Sequence, residues 1–332
     1  MPSPAPNSRR VTAAMVAERA GTSIATVSLV VNGKERGRVS APIVARVRDA
    51  VDDLGYVVDH AASSLARGSG DLVVLIAPDL SNPFFAEVIR GVRDTVGDRF
   101  QLVLSVTERG AQPVTADVRR FERLRPAGIL VDAPAADQAM TASVPVVLLD
   151  APGGPDAVNY DLSAGVSALV SHLALAGHRR VAYLDGTSRA TTFALRRSMF
   201  EQACAEADIS LTPMSASADL TIDAAASAVD GVVDAWLADG VTAVVAAADT
   251  LAYGVLRVAS ARGIAVPAAL AVAGFDDLPS SSVTAPALTS VALPGAELGR
   301  AAALRLLAML DGTEPAAPAL PTRLVPRAST GA

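Results

Sequence analysis

The chain has 332 residues, 51% of them hydrophobic and 19% charged, with a net charge of −6 at pH 7, as expected of a globular protein of two or three domains with large buried cores. No run of about eighteen apolar residues occurs, which excludes a transmembrane helix; the start MPSPAPNSRR has no signal-peptide core, so a cytoplasmic location without membrane contact is expected. Cys204 is the only cysteine and His60, His172 and His178 are scattered, so no intramolecular disulfide, metal site or other cofactor is expected.

Three helices are predicted at the N-terminus, over about residues 13–20, 24–31 and 41–54. TAAMVAERAGTSIATVSLVVN (12–32) has the spacing of a helix-turn-helix. Ala17 is small where the helices cross, Gly21 can take the positive φ of the turn, and Val27 and Val30 bury the inner face of the second helix. Ser23 can cap that helix by accepting from the backbone N–H of Ala25 or Thr26, which leaves Ile24, Ala25 and Ser28 facing outward. An amphipathic hairpin inside a larger fold is the plainer reading. Ser40-Ala-Pro42 opens the third helix, with Ser at the cap, and Val44, Val47, Val51 and Leu54 make its apolar face. Between the second and third helices, GKERGRV is a polar loop, either a connector or a segment lying along a sugar-phosphate backbone.

Charge sharpens this picture. Residues 1–70 hold nine Lys and Arg against six Asp and Glu, a net +3 that leaves −9 for the remainder. DNA would be repelled by that remainder, so nucleic-acid contact is expected only at the N-terminal end, where Arg9, Arg10, Lys34, Arg36 and Arg38 are available for phosphates.

After a Gly-Ser-Gly linker near residue 70 the pattern changes. Apolar runs at 72–77, 102–106, 128–131, 144–150, 181–184, 241–247 and 270–275 alternate with helical patterns, including FEQACAEA, where Cys204 reads as a small core residue. Strands apolar on both faces and separated by helices predict parallel sheets covered on both sides. Two doubly wound subdomains with a cleft at the carboxyl ends of their strands follow.

Six blocks, in order, resemble the lactose-repressor family of bacterial transcription regulators: VAERAGTSIATVSLVVN, GYVVDHAASSLARG, PDLSNPFFAEVIRGV, HLALAGHRRVAYLDG, VPAALAVAGFDD and PALTSVALPGAELG. The resemblance covers essentially the whole chain. It implies an all-α helix-turn-helix head (1–57), a hinge helix and linker (58–70), and a type I periplasmic-binding-protein-like α/β domain (71–332) for effector binding and dimerisation. In that domain, subdomain one would hold about 72–162 and 290–318, and subdomain two about 163–289 and 319–330.

The resemblance assigns Thr12, Ser23, Thr26, Ser28 and Asn32 to backbone or nearby polar DNA contacts, and Ile24, Ala25 and Leu29 to the base-reading face. Members that present Tyr, Gln and Arg there can make bidentate hydrogen bonds; this apolar trio can only touch thymine methyls. Leu65 matches the hinge leucine wedged into the minor groove, with linker packing as the alternative. Val58 and Asp59 depart from the family's usual Pro and Asn.

In the cleft, Asn82, Phe84, Phe85, Arg196 and Asp276 match effector contacts, and Asp150 sits at the equivalent edge of the other subdomain. Asp249 either joins them or caps the following helix. Carboxylates, a guanidinium and aromatic faces suit a sugar. Ala248 and Leu220-Thr221 depart from sugar-binding members, which leaves a sugar, a sugar phosphate or another metabolite open.

The resemblance therefore implies a ligand-controlled DNA-binding regulator, usually a repressor, acting as a homodimer on a near-palindromic operator in double-stranded DNA. A solute-binding protein of the same effector fold is the alternative. An enzyme is not expected, since no Gly-rich phosphate loop follows LVVLIA and no nucleophile–His–acid set lies within one block.

Overall fold

Local signals at the N-terminus produce three short helices, α1 (Ala13–Ala20), α2 (Ile24–Val31) and α3 (Ala41–Leu54). The computed structural model describes residues 11–31, 33–56, 70–78, 80, 82–107, 111–135, 140–154, 156–188, 190–313 and 319–331, so Arg9, Arg10, Asn32 and Leu65 lie outside the described residues. The chain divides into two units at the Gly70–Asp71 bond.

In the first unit, Thr12 is extended and its hydroxyl accepts from the Met15 N–H at 3.4 Å, which starts α1. Gly21 ends it at φ 60°, a left-handed conformation that an L side chain would strain, and Thr22 N–H donates back to the Ala17 carbonyl at 2.9 Å. The chain bends by 102° between α1 and α2, within the range of a helix-turn-helix. Val16, Ala17, Ala20, Val27, Val30, Val47 and Ala50 are buried together where the three helices meet. Ser40 precedes α3, but its side chain makes no capping bond; Pro42 and the Ser40 carbonyl, which accepts from Ile43 and Val44, begin that helix instead.

The second unit holds two sheets. β1 (Leu72–Ala77), β2 (Gln101–Val106), β3 (Gly128–Asp132), β4 (Val146–Leu149) and β5 (Ala157–Val158) form a parallel sheet in the order β2-β1-β3-β4-β5. The short β6 (Tyr160–Asp161) lies outside it. Helix α4 (Pro83–Val96) covers one face, and Val118 of α5 (Thr115–Glu122) packs on the other with Val74, Ile76, Ile129 and Val131.

The second sheet is built from β7 (Arg180–Gly186), β8 (Ser210–Leu211), β9 (Ala216–Ala218), β10 (Ala243–Ala246), β11 (Ala271–Asp276), β12 (Thr289–Ala292) and β14 (Arg323–Val325). Its order is β14-β12-β11-β10-β7-β8, with β9 beside β7 and only β14 antiparallel to its neighbour. Helices α6 (Ser163–Leu175), α7 (Thr191–Glu206), α8 (Ile222–Asp230), α9 (Val233–Ala238) and α10 (Asp249–Arg262) surround it. Gly254 of α10 approaches α8 so closely that a Cβ there would lie 2.5 Å from the Ala225 Cβ.

Three passes of chain join the sheets. The last helix, α11 (Gly295–Leu310), leaves the second sheet and packs along α4, after which β13 (Leu320–Pro321) pairs with β6 and β14 returns to β12. A Cβ on Gly91 of α4 would lie 2.0 Å from the Ala296 carbonyl oxygen, and one on Gly299 of α11 would lie 2.1 Å from that of Val88. The two helices touch backbone to backbone. A subdomain limit between residues 289 and 290 is corrected by the pairing of β12 with β11, which keeps residues 289–292 in the second sheet and moves the crossing beyond them.

Candidate functional site

The head presents one face of α2. The Ser23 hydroxyl accepts from the Thr26 N–H at 3.1 Å and lies 2.9 Å from the Thr26 hydroxyl, so both polar side chains tie off the helix N-terminus. Ile24 is 55% exposed, Ala25 and Ser28 are exposed beside it, and Leu29 is half-buried. Thr12 is exposed at the start of α1. Lys34, Arg36 and Arg38 are exposed on the following loop, which is anchored to α3 by Glu35 accepting from Arg48 at 2.9 Å. The loop is therefore pinned at its centre while its cations stay in solvent.

In the second unit a cleft of about 380 Å³ opens at the carboxyl ends of both sheets. Asn82, Phe84 and Phe85 enter it from the start of α4, Asp150 from the end of β4, Arg196 from α7 and Asp276 from the end of β11. The Asn82 side chain caps α4 by accepting from Phe84 N–H at 3.0 Å, and the Phe84 and Phe85 rings meet edge to face at 5.6 Å.

Arg196 is 4% exposed and donates to the Ala247 carbonyl (3.0 Å), Asp276 Oδ1 (3.3 Å) and Asp150 Oδ2 (3.4 Å). Its guanidinium also faces the Phe193 ring, 5.1 Å from the centroid. Burial works against its charge, but Asp276 and Asp150 outweigh burial and favour the charged form. Burial pushes the Asp276 carboxyl up to about 8 and raises that of Asp150, in each case against the pull of Arg196. Asp150 (φ 47°) and Asp276 (φ 105°) both adopt positive φ, a costly backbone conformation that aims their carboxylates at the guanidinium.

Asp249 stands apart from these residues. It does not line the cleft: the preceding Ala248 does, while the Asp249 carboxylate is fully buried behind it. There it accepts from Leu278 N–H (2.9 Å), Ser281 Oγ (2.5 Å) and Ser290 Oγ (2.7 Å). It is the first residue of α10 and makes no cap for its own helix, so it ties the loop after β11 to α10. Both expectations for Asp249 are thus corrected, because its acceptor capacity is spent on that loop and on Ser290 of β12.

Other cleft residues escaped the sequence reading. Asp132 ends β3 and is 1% exposed, Thr192 and Phe193 precede Arg196 on α7, and Gln112 donates across the cleft to Ser188 Oγ at 2.9 Å. GILVD at 128–132 carries the signal that marks Asp150 and Asp276, an apolar strand closed by aspartate. Leu220 and Thr221 also line the cleft. Cys204 is buried on α7, where burial pushes its thiol up to about 12, as suits a core residue.

Residues 12–59 match the family model of bacterial regulatory proteins, lacI family, and residues 170–330 match that of a periplasmic binding protein-like domain. The chain is 31% identical over 319 residues to the HTH-type transcriptional regulator GntR of Pseudomonas aeruginosa, covering 90% of this chain and 89% of that one. The chain belongs to the lacI family of bacterial regulatory proteins. Among solved structures, this lacI-family chain is similar to a Lac repressor dimer bound to operator and the anti-inducer ONPF (26% identity, TM-score 0.82, 98% and 100% covered). It is also similar to a complex of the transcriptional regulator CelR with cellobiose (29% identity, TM-score 0.69, 96% and 100% covered).

As a lacI-family member it is a ligand-responsive, DNA-binding transcriptional regulator rather than an enzyme, and dimers on operator DNA are the family's working form. The helical head disfavours the solute-binding alternative. Among the described residues, no single helix is long and apolar enough to cross a membrane.

Proposed function

We propose that this regulator represses transcription in the cytoplasm, where its DNA lies. A homodimer places two α2 helices in successive major grooves of a near-palindromic operator. Ile24, Ala25 and Leu29 read base edges by apolar contact, Thr12, Ser23, Thr26, Ser28 and Asn32 fix the head on nearby polar groups, and Leu65 wedges the minor groove at the operator centre.

The effector is a sugar or sugar derivative held between the subdomains by Asn82, Phe84, Phe85, Asp150, Arg196 and Asp276. One observation carries this reading: Arg196, from the second subdomain, bonds acids of both. A ligand that competes for Asp150 or Asp276 changes what Arg196 holds together. The relative position of the subdomains, and with it the hinge, then responds to occupancy.

A thermal-shift screen of the whole chain against neutral sugars and their amino and phosphate derivatives tests this, followed by operator-binding anisotropy with each stabilising compound. A compound that raises the melting temperature and also shifts operator affinity supports the reading. Deleting residues 1–70 should leave that thermal shift intact and abolish operator binding; retained operator binding would overturn it.

A further inference from the structure

The ionisable lining of the cleft is one-sided. Among the described residues that line it stand four aspartates, Asp132, Asp150, Asp219 and Asp276, against one cation, Arg196. That cation is already engaged, since its two terminal nitrogens serve Ala247, Asp150 and Asp276. The start of α4 offers little to an anion either, because Asn82 itself takes the N–H groups of Phe84 and Phe85. A phosphate or carboxylate ligand would meet four acids here against one unpartnered guanidinium N–H, that of Arg196 Nε.

Asp132 points to what the cleft does accept. It is 1% exposed on the cleft wall, and its Oδ1 is buried with no hydrogen-bond partner, a costly state for a carboxyl oxygen. Asp132 follows the strand register beside Leu149, so the next residue along β4, Asp150, lies alongside it.

We infer that the effector carries a basic nitrogen, and that its ammonium is held by Asp132 with Asp150 beside it while its hydroxyls meet Arg196, Asp276 and Asn82. This rests on the cleft being the effector site, as proposed above. The chemical class is a small amino sugar or amino polyol, of a size that about 380 Å³ admits. Burial, with the Asp150 charge adding to it, raises the Asp132 carboxyl well above the usual carboxylate range, which favours its protonated form before a ligand binds. An arriving ammonium favours the carboxylate, and that proton leaves to solvent.

Calorimetry of the whole chain at about pH 6.5, where an amine is charged, tests the inference with matched hexoses in the gluco, galacto and manno configurations. Each set comprises the neutral sugar, the 2-amino-2-deoxy sugar, its N-acetyl form and the 6-phosphate. The expected result is that an amino sugar binds about tenfold or more tightly than its neutral parent. N-acetylation should remove that gain, and titrations in buffers of different ionisation enthalpy should show proton release. In Asp132→Asn the preference for the amino sugar and the proton release should both vanish. The N-acetyl comparison needs no variant, so it decides even if that substitution disturbs folding.

A neutral or phosphorylated sugar binding as well as its amino counterpart would overturn the amine while leaving the cleft as effector site. Silence of every set would overturn both.

Discussion

Arg196 on α7 lies 3.4 Å from Asp150 at the end of β4, and both side chains are buried, so one ion pair joins the two subdomains through the floor of the cleft. Its other carboxylate partner, Asp276, belongs to the same subdomain as Arg196. Of the two contacts, only the one to Asp150 can register a change in spacing between the sheets.

Arg196→Ala is expected to weaken effector binding by about ten- to a hundredfold, the cost of losing a charged partner, and to abolish the effector response. Arg196→Lys should recover little, because a point charge cannot serve both acids as the planar fork does. Calorimetry with a stabilising compound and operator anisotropy give both readouts. Normal effector binding by the alanine variant would place the ligand elsewhere.

Leu65→Ala separates a wedge from a linker. As a wedge it should cost specific operator binding a few kcal/mol (about 1.4 kcal/mol per tenfold) and reduce DNA bending, while non-specific binding, carried by phosphate contacts, survives. Gel mobility of circularly permuted operator fragments reports the bend. Wild-type bending and affinity would assign Leu65 to linker packing.

Gly91→Ala should destabilise the effector domain by about 1–3 kcal/mol or more, since the new Cβ meets the Ala296 carbonyl oxygen at 2.0 Å and backbone cannot swing aside. The midpoint of urea unfolding measures this. An unchanged midpoint would mean that α4 and α11 can separate at no cost.

Asp249 supplies a pH dependence. Burial pushes its carboxyl up to about 7, against the three hydrogen bonds it accepts, whereas an unfolded aspartate titrates near 3.9. Between those values the folded chain holds a proton that the unfolded chain has lost. Stability contributed by this group is therefore greatest below pH ~4 and falls as pH rises, by up to about 1.4 kcal/mol per pH unit, levelling off above about 7. The acids facing the same region, Asp276 and Asp277, and the phenol of Tyr253 stay in place in an Asp249→Asn variant, which should lose part of the slope in a denaturation series from about pH 5 to 8. Equal slopes in the two proteins would show that Asp249 titrates normally.

The three head helices and seven strands are legible in the sequence because caps, a turn glycine and long apolar runs are local signals. β5, β6, β8, β9 and β12–β14 span two to four residues each, and Thr289, Ser290 and Arg323 break any apolar run there, so only pairing with neighbours makes them strands. The site was legible to the extent that strand ends mark it. Asp249 and Asp276 look alike in sequence, each following an apolar strand, but the chain turns into α10 at Ala248 and directs the next carboxylate away from the cleft. Asp132 shows the converse: a strand end that faces the cleft although its single Asp drew no notice in the sequence.

The three passes between sheets bear on how the protein is made. The first sheet needs α11 against α4, and the second needs β14 beside β12, and both pieces come from the last forty or so residues of the chain. Neither half can be completed while residues 295–325 are still inside the ribosome. The head, closed by residue 56, can be finished early. A nascent chain therefore carries its DNA-reading part, with both halves of the effector domain incomplete, until residues 295–325 have emerged.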